Sequence, residues 1–369
     1  MDRAGRVSVA PPLEWDDRQE PMRQVTLDDV AAMAGVSAKT VSRVVNNDAR
    51  VSPETRERVK QAVQRLGYRP NLAARSLATA RSHLIGTFTP TTGLSHFFGE
   101  LTHGAIRACR AHDYNLVVEE FDMRAPGVAR IYRDGLRHLH CDGLILPSPV
   151  CDDMELLDIL DEDEVRYVRI SPAKEISRSP ALISDHAAGA RTVAQHFWSL
   201  GHRKFGVLTG LPYQASSPIR RDGFIDGIIR AGGSIDDIRV IEMGALLNET
   251  DTACGGIDLG REAGARFLRG SDRPDAIFAY NDEFAAGIVI QARNLGISVP
   301  DELGVAGFDD SDAARLCWPP ITSVRQPIAE IAAQAVAMLA KPEAWTRETV
   351  ICPVELIVRG STCREAGLS

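Results

Sequence analysis

Residues 35–46 read GVSAKTVSRVVN. At helical spacing, Val41, Val44 and Val45 fall on one side, while Lys39, Thr40, Ser42, Arg43 and Asn46 fall on the other. Such a helix is held by its valines to a small core and presents a face able to donate to phosphates and to read base edges. The flanks support this. TLDDVAAMAG (26–35) reads as a short helix with Thr26 as N-cap, Asp29 three residues on as a carboxylate capping box, and Gly35 as its stop. Ser37 caps the second helix. A third follows, delimited by Ser52, Pro53 and Gly67, with an apolar stripe of Val59, Ala62, Val63 and Leu66 that can cover the first two. Two short helices across a glycine turn make a helix-turn-helix. Ser37, Thr40 and Ser42 suit phosphate contacts, Ala38, Lys39 and Arg43 suit base edges, and Thr26 and Asn46 complete the set of expected DNA contacts.

The charge distribution agrees. The 369 residues carry a net charge of −8, which alone argues against nucleic acid. Residues 22–82, however, hold 11 Lys+Arg against 5 Asp+Glu, and residues 83–369 hold 28 against 40. A basic head on an acidic body is the asymmetry of a nucleic-acid binder. Residues 1–24 read as a disordered leader without a secretory apolar region, and Met22 is an alternative start. Seven cysteines without CxxC spacing fit reduced thiols in a cytoplasm, and no apolar run reaches membrane-span length.

From Val25 to Thr79 the chain resembles the DNA-binding head of the lactose-repressor (LacI/GalR) family of bacterial transcription regulators. The resemblance implies that NLAARSLA (71–78), within a linker 70–82, is a hinge helix that folds on operator DNA. It implies minor-groove contacts from Asn71, Ala74 and Arg75, and a wedge from Leu77 that kinks the duplex.

After His83, nine strand-like runs alternate with amphipathic stretches: HLIGTFT, YNLVVEEF, DGLILPS, RYVRIS, ALISD, KFGVLTG, IRVIEMG, AIFAYND and LGVAGFDD. Alternation of this kind means parallel sheets covered by helices, and so many strands mean two sheets. Ligands in such folds bind beyond the carboxyl ends of the strands. FAYNDEFAAG, GVAGFDD and PPITSVRQPIAEIAAQAV resemble the effector domain of the same family. The expected fold is therefore a small all-α helix-turn-helix head (25–69) plus an α/β periplasmic-binding-protein-like body (83–369) with two doubly wound parallel-sheet lobes. Lobe one takes about 83–184 and 326–341, lobe two about 185–323 and 342–369.

The resemblance places effector contacts at Arg220 in IRRDGF, Asn281 in YNDE and Asp309 in GFDD, a donor fork, an amide and a carboxylate suited to a polyol. Ser95 and His96 in TPTTGLSH sit at the cleft mouth. Trp318 is there either to stack on a sugar face or to pack. Two departures from the family pattern bear on effector identity: Asp185-His186 where relatives often have Asp-Asn, and the longer TPTTGLSH segment. HLHCD (138–142) is read as a helix end running into a strand rather than a metal site, and SPAK (171–174) lacks the supporting elements of an acylating serine enzyme.

The expected function is a sequence-specific repressor. It is a homodimer on a pseudo-palindromic double-stranded operator, controlled by a small molecule, a sugar or sugar derivative, with no catalytic residues, cofactor, metal or membrane partner. It would work in the bacterial cytoplasm at the nucleoid. The alternatives are a cytoplasmic sugar-binding protein without DNA function and a purine-type corepressor-dependent repressor.

Overall fold

The computed structural model describes residues 25–45, 48, 50–68, 81–91, 96–122, 127–245, 256–270, 272–341 and 346–363. It divides into a head ending at Arg81 and a body beginning at Ser82. The leader 1–24, Asn46, the hinge residues Asn71, Ala74, Arg75 and Leu77, and Ser95 lie outside the described residues.

The head contains α1 (Leu27–Ala34), α2 (Ala38–Val45) and α3 (Pro53–Leu66). Local chemistry sets each boundary. The Asp29 amide donates to Thr26 Oγ1 at 3.3 Å and the Thr26 amide to Asp29 Oδ2 at 2.8 Å, so two otherwise orphaned donors are satisfied reciprocally. Gly35 adopts φ 64°, a left-handed conformation that costs a β-carbon-bearing residue about 1 kcal/mol. Ser37 Oγ accepts from the Thr40 amide at 3.2 Å, and Ser52 Oγ from that of Thr55 at 3.3 Å. Val30, Val41, Val44, Val59, Ala62 and Tyr68 form the buried centre, and Val45, Val63 and Leu66 pack half-buried around it.

In the body, the first sheet runs β11-β5-β4-β3-β1-β2 and the second β12-β10-β9-β8-β6-β7. The first contains β1 (Leu84–Pro90), β2 (Asn115–Phe121), β3 (Gly143–Pro147), β4 (Tyr167–Ile170), β5 (Ala181–Ser184) and β11 (Thr349–Cys352). The second contains β6 (Phe205–Leu208), β7 (Ile238–Ile241), β8 (Ala276–Ala279), β9 (Gly304–Phe308), β10 (Thr322–Arg325) and β12 (Glu355–Ile357). All nine expected strands are present. Helices of lobe one are α4 (His96–Ala111), α5 (Val128–Asp134) and α6 (Met154–Glu162). Helices of lobe two are α7 (His186–Ser199), α8 (Ser216–Arg230), α9 (Gly256–Phe267), α10 (Asp282–Asn294) and α11 (Asp312–Leu316). The late helix α12 (Ile328–Ala340) returns to lobe one and packs on α4, sharing a core of Leu101, Ala105, Ile331, Ala335 and Leu339. There Gly104 admits the partner backbone: a β-carbon on it would lie 2.8 Å from Ala329 Cα.

The tail departs from expectation. Residues 342–369 were placed in lobe two, yet Thr349–Cys352 pairs in parallel with Ala181–Ser184 of lobe one, and only β12 joins the second sheet, antiparallel to β10. The physical reason is strand length and position. Both are edge strands of three or four residues with mixed exposure, so neither shows a readable period. The chain thus crosses between lobes three times, after β5, after β10 and at Pro353-Val354.

Candidate functional site

On the head, α2 presents Lys39 and Arg43 exposed, with Thr40 and Ser42 half-exposed. Ser37 and Thr40 are joined through their hydroxyls at 2.9 Å beside the helix N-terminus, where unpaired amides favour an anion. Ala38 is half-buried and packs partly against the head core. Thr26 is occupied by its capping box, leaving its outer surface for contact. Arg43 is not loose. Its Nε lies 3.9 Å from Asp48 Oδ2, and Arg50 holds that carboxylate with bonds of 3.0 and 2.9 Å. The Arg50 hydrogen bonds pull the Asp48 carboxyl down to about 2. It is therefore ionised at any working pH, and sequence reading had not marked it.

In the body, the carboxyl ends of the strands gather a second constellation around Arg220 of α8, which is 4 % exposed. Its Nη1 donates to the Tyr280 carbonyl at 2.6 Å, its Nη2 to Asp309 Oδ1 at 3.5 Å and its Nε to His186 Nδ1 at 3.4 Å. The guanidinium carbon lies 3.7 Å from the Phe308 ring centre and 4.5 Å from that of Tyr280. The cation is thus fixed in direction by hydrogen bonds and in plane by two rings. Asp309 follows β9 with φ 103° and also accepts from Gln326 Nε2 at 2.6 Å. Burial outweighs the neighbouring Arg220 and raises its carboxyl above the usual range.

Asn281 is next along the chain from Tyr280. Its Oδ1 caps α10 by accepting from the Phe284 amide at 2.9 Å, which leaves the side-chain nitrogen outside the cap. His96 begins α4 on lobe one, close enough that its charge would lower the Asp309 carboxyl. His186 is buried. Desolvation, then Arg220, holds its imidazole well below the ordinary value, so it is neutral. Because Nδ1 accepts from Arg220, the ring proton is on Nε2, which faces Ser171 Oγ at 3.4 Å. Asp282, behind the site, accepts from Ser323 Oγ at 2.6 Å and the Ser311 amide at 2.7 Å, and burial with the Asp309 charge pushes it up to about 7.

The structure therefore joins Arg220 to Asp309, with Asn281 beside the Tyr280 carbonyl that Arg220 holds and His96 near enough to act electrostatically on Asp309. Trp318 follows α11 with its ring 74 % exposed, and it is not among the groups that hold Arg220. Sequence reading missed Tyr280, Phe308, Gln326 and Ser171. The first three adjoin or share motifs with marked residues, but their roles depend on which elements meet in space. Asp142 of HLHCD has another task, accepting from the Ser82 amide, the Ser82 hydroxyl and the His83 amide at 2.9, 3.1 and 3.1 Å where the body begins.

Two family models match the chain: bacterial regulatory proteins, lacI family, at residues 26–71, and a periplasmic binding protein-like domain at 194–362. Among curated relatives, the HTH-type transcriptional regulator DegA of Bacillus subtilis is 30 % identical over 344 residues, covering 92 % of this chain and 98 % of that one. The regulator GalS of Salmonella typhimurium is 33 % identical over 326 residues (87 % and 91 %), and the repressor PurR of Photobacterium profundum 30 % over 345 (91 % and 98 %). Among solved structures, a Lac repressor dimer bound to operator and the anti-inducer ONPF superposes with a TM-score of 0.72 at 26 % identity, covering 92 % and 99 %. A CelR–cellobiose complex does so with 0.65 at 28 %, covering 92 % and 100 %.

Proposed function

Because the chain belongs to the lacI family of bacterial regulatory proteins, as a helix-turn-helix transcription regulator, we propose that it is a homodimeric repressor in the bacterial cytoplasm whose operator affinity is set by a carbohydrate held between the lobes. In this reading Lys39, Arg43 and the Ser37, Thr40 and Ser42 hydroxyls of α2 engage a half-site, and a two-fold dimer requires a pseudo-palindromic operator. Arg220, Asp309 and Asn281 hold ligand hydroxyls.

One observation carries the choice of ligand. Arg220 is already paired with Asp309 and sandwiched by Phe308 and Tyr280. A cation whose charge is balanced in place does not call for an anionic ligand, and rings that cover a guanidinium offer it the faces a purine would stack on. What remains on offer is directional: carboxylate acceptors, guanidinium and amide donors, and the buried Gln326 Oε1 without a partner among the described residues. Such a set suits a neutral polyol. The cellobiose in the CelR complex is of that class.

The test is a thermal-shift series with cellobiose, galactose, ribose, glucuronate and hypoxanthine, followed by operator titrations with any compound that raises the transition. A neutral sugar that stabilises the protein and changes operator affinity supports the reading. A response to hypoxanthine or glucuronate alone overturns the ligand assignment and leaves the DNA-binding role standing.

A further inference from the structure

Strand β4 reads Tyr-Val-Arg-Ile, and all four residues are buried. It lies between β3 and β5, where a parallel strand covered on both faces ordinarily carries only apolar side chains. Val168 and Ile170 obey this and face the α4–α12 core. Arg169 does not. It is fully buried, and the hydrogen bonds it makes among the described residues go to one hydroxyl and three carbonyls, none to a carboxylate. A buried cation without a counter-ion persists only where other acceptors take every donor.

The acceptors come mainly from one loop. Nε donates to Ser179 Oγ at 3.0 Å, Nη1 to the Lys174 carbonyl at 2.9 Å and, more weakly, to that of Cys151 at 3.4 Å, and Nη2 to the Glu175 carbonyl. The loop between β4 and β5 is therefore gathered around a guanidinium that never reaches solvent. Asp152 completes the hold by accepting from the Ala173 and Lys174 amides at 3.0 Å each. The loop begins at Ser171, whose backbone sits at φ 54°, in the left-handed region that is uncommon for serine. Ser171 is the lobe-one end of the chain Ser171–His186–Arg220–Asp309.

We propose that Arg169 is a positioning residue for the effector cleft: it staples the 171–179 loop, fixes the Ser171 hydroxyl against His186, and through His186 sets the orientation of Arg220. It touches no ligand itself. Its charge is useful because a guanidinium can bind several carbonyls at fixed angles, which neither lysine nor an apolar residue reproduces.

The first measurement needs no ligand. Histidine-selective ¹⁵N labelling of the full chain, with His186 assigned through His186→Gln, reports the tautomer and environment of the ring. Arg169→Met, close in volume and uncharged, should shift or broaden the His186 ring signals. His196, bonded to Thr362 on lobe two at 2.8 Å, should stay unchanged. Ser179→Ala removes one acceptor and should move the same signals by less; it decides alone if Arg169→Met does not accumulate folded. Ser171→Ala should reproduce the His186 change with Arg169 intact. A folded Arg169→Met or Ser179→Ala variant whose His186 signals match wild type would reduce Arg169 to a core residue and overturn the proposal.

A second measurement rests on the carbohydrate reading above. For a sugar that binds wild type, Arg169→Met should weaken binding at least tenfold, Arg169→Lys should fail to restore it, and ligand-free operator affinity should remain within twofold. If no sugar binds wild type, the carbohydrate reading falls while the His186 spectra still judge the staple.

Discussion

Asp309→Ala removes the acceptor for Gln326 Nε2 at 2.6 Å and for Arg220 Nη2 at 3.5 Å. Arg220 keeps the Tyr280 carbonyl and His186 but loses its ion-pair partner inside a nearly closed site. Breaking a buried pair from one side costs about 3–5 kcal/mol, and the long Arg220 contact argues for the lower end. At roughly 2–4 °C per kcal/mol for a domain of this order, the body transition should fall by about 6–12 °C. Asp309→Asn is a different perturbation. The amide keeps an oxygen for Gln326 and Arg220, and burial already makes the Asp309 charge costly despite Arg220. Removing that charge should therefore change stability by no more than about 1 kcal/mol.

Both variants should lose ligand response, because a charge-assisted bond to a hydroxyl is worth about 1.5–3 kcal/mol, roughly tenfold to more than a hundredfold in affinity. Calorimetry of the full chain reads the first effect, and operator titration with and without the identified sugar reads the second. Asp309→Ala melting within about 2 °C of wild type, a change of under about 1 kcal/mol, would refute the buried-pair argument. An Asp309→Asn protein that responds at the wild-type sugar concentration would remove Asp309 from the binding site.

Three further outcomes are expected. Arg43→Ala should weaken operator binding by about 1–3 kcal/mol and relax preference at one base pair at matched salt, whereas Asp48→Asn, which frees Arg43 from its tether, should alter preference with a smaller loss; equal affinity and preference in the Arg43 variant would exclude it as a reader. Asp282 sits at about 7 in the fold against 3.8 as the ordinary value, so the folded state holds a proton the unfolded state has released between those limits. The contribution of Asp282 to body stability should therefore fall as pH rises from 4 to 7 and level off above 7. Asp282→Asn should flatten that slope, and an unchanged slope in denaturant titrations across pH would contradict the assignment. Thr26→Val deletes the hydroxyl cap of α1 and should lower head stability by about 1 kcal/mol, seen as a lower head transition with the body transition unmoved.

The head was legible because its signals are local. A capping residue, its partner three positions on, and a glycine at the stop all lie within one or two turns, and Thr26, Asp29, Gly35, Ser52 and Gly67 act in the structure where their spacing placed them. The long buried strands were legible through alternation with helices. Edge strands such as Glu355–Ile357, three residues long, have no period to read. The cleft was legible only where a family motif supplied the residue. That Phe308 and Tyr280 clamp Arg220, or that the out-of-pattern Arg169 reaches Lys174 and Glu175, depends on elements that meet only after the sheets assemble. Ala38 packs partly against the head core and Trp318 stays largely exposed, surroundings that single-residue spacing does not reveal.

The adjacent pair Asp309-Asp310 divides along the same fold. Asp310 is 1 % exposed and turns away from the cleft to Arg325 at 2.7 Å, to Arg359 of the tail and to Arg315 at 3.4 Å. Although burial opposes its ionisation, the bonds from Arg359 and Arg325 hold its carboxyl below the usual value. Of these, Arg325 ends β10, where the chain crosses back to lobe one, and Arg359 ties the tail to Ile321 and Thr322 at the other end of that strand. For anyone converting this scaffold into a biosensor for a different metabolite, the two neighbours are therefore unequal design variables. On the carbohydrate reading, position 309 is the one to vary, beginning with polar residues such as Asn that keep an acceptor for Arg220 and Gln326. Position 310 should be kept fixed, since a substitution there would leave Arg325 and Arg359 without their buried partner at the strand that leads back to lobe one, and the sensor would lose its frame rather than change its ligand.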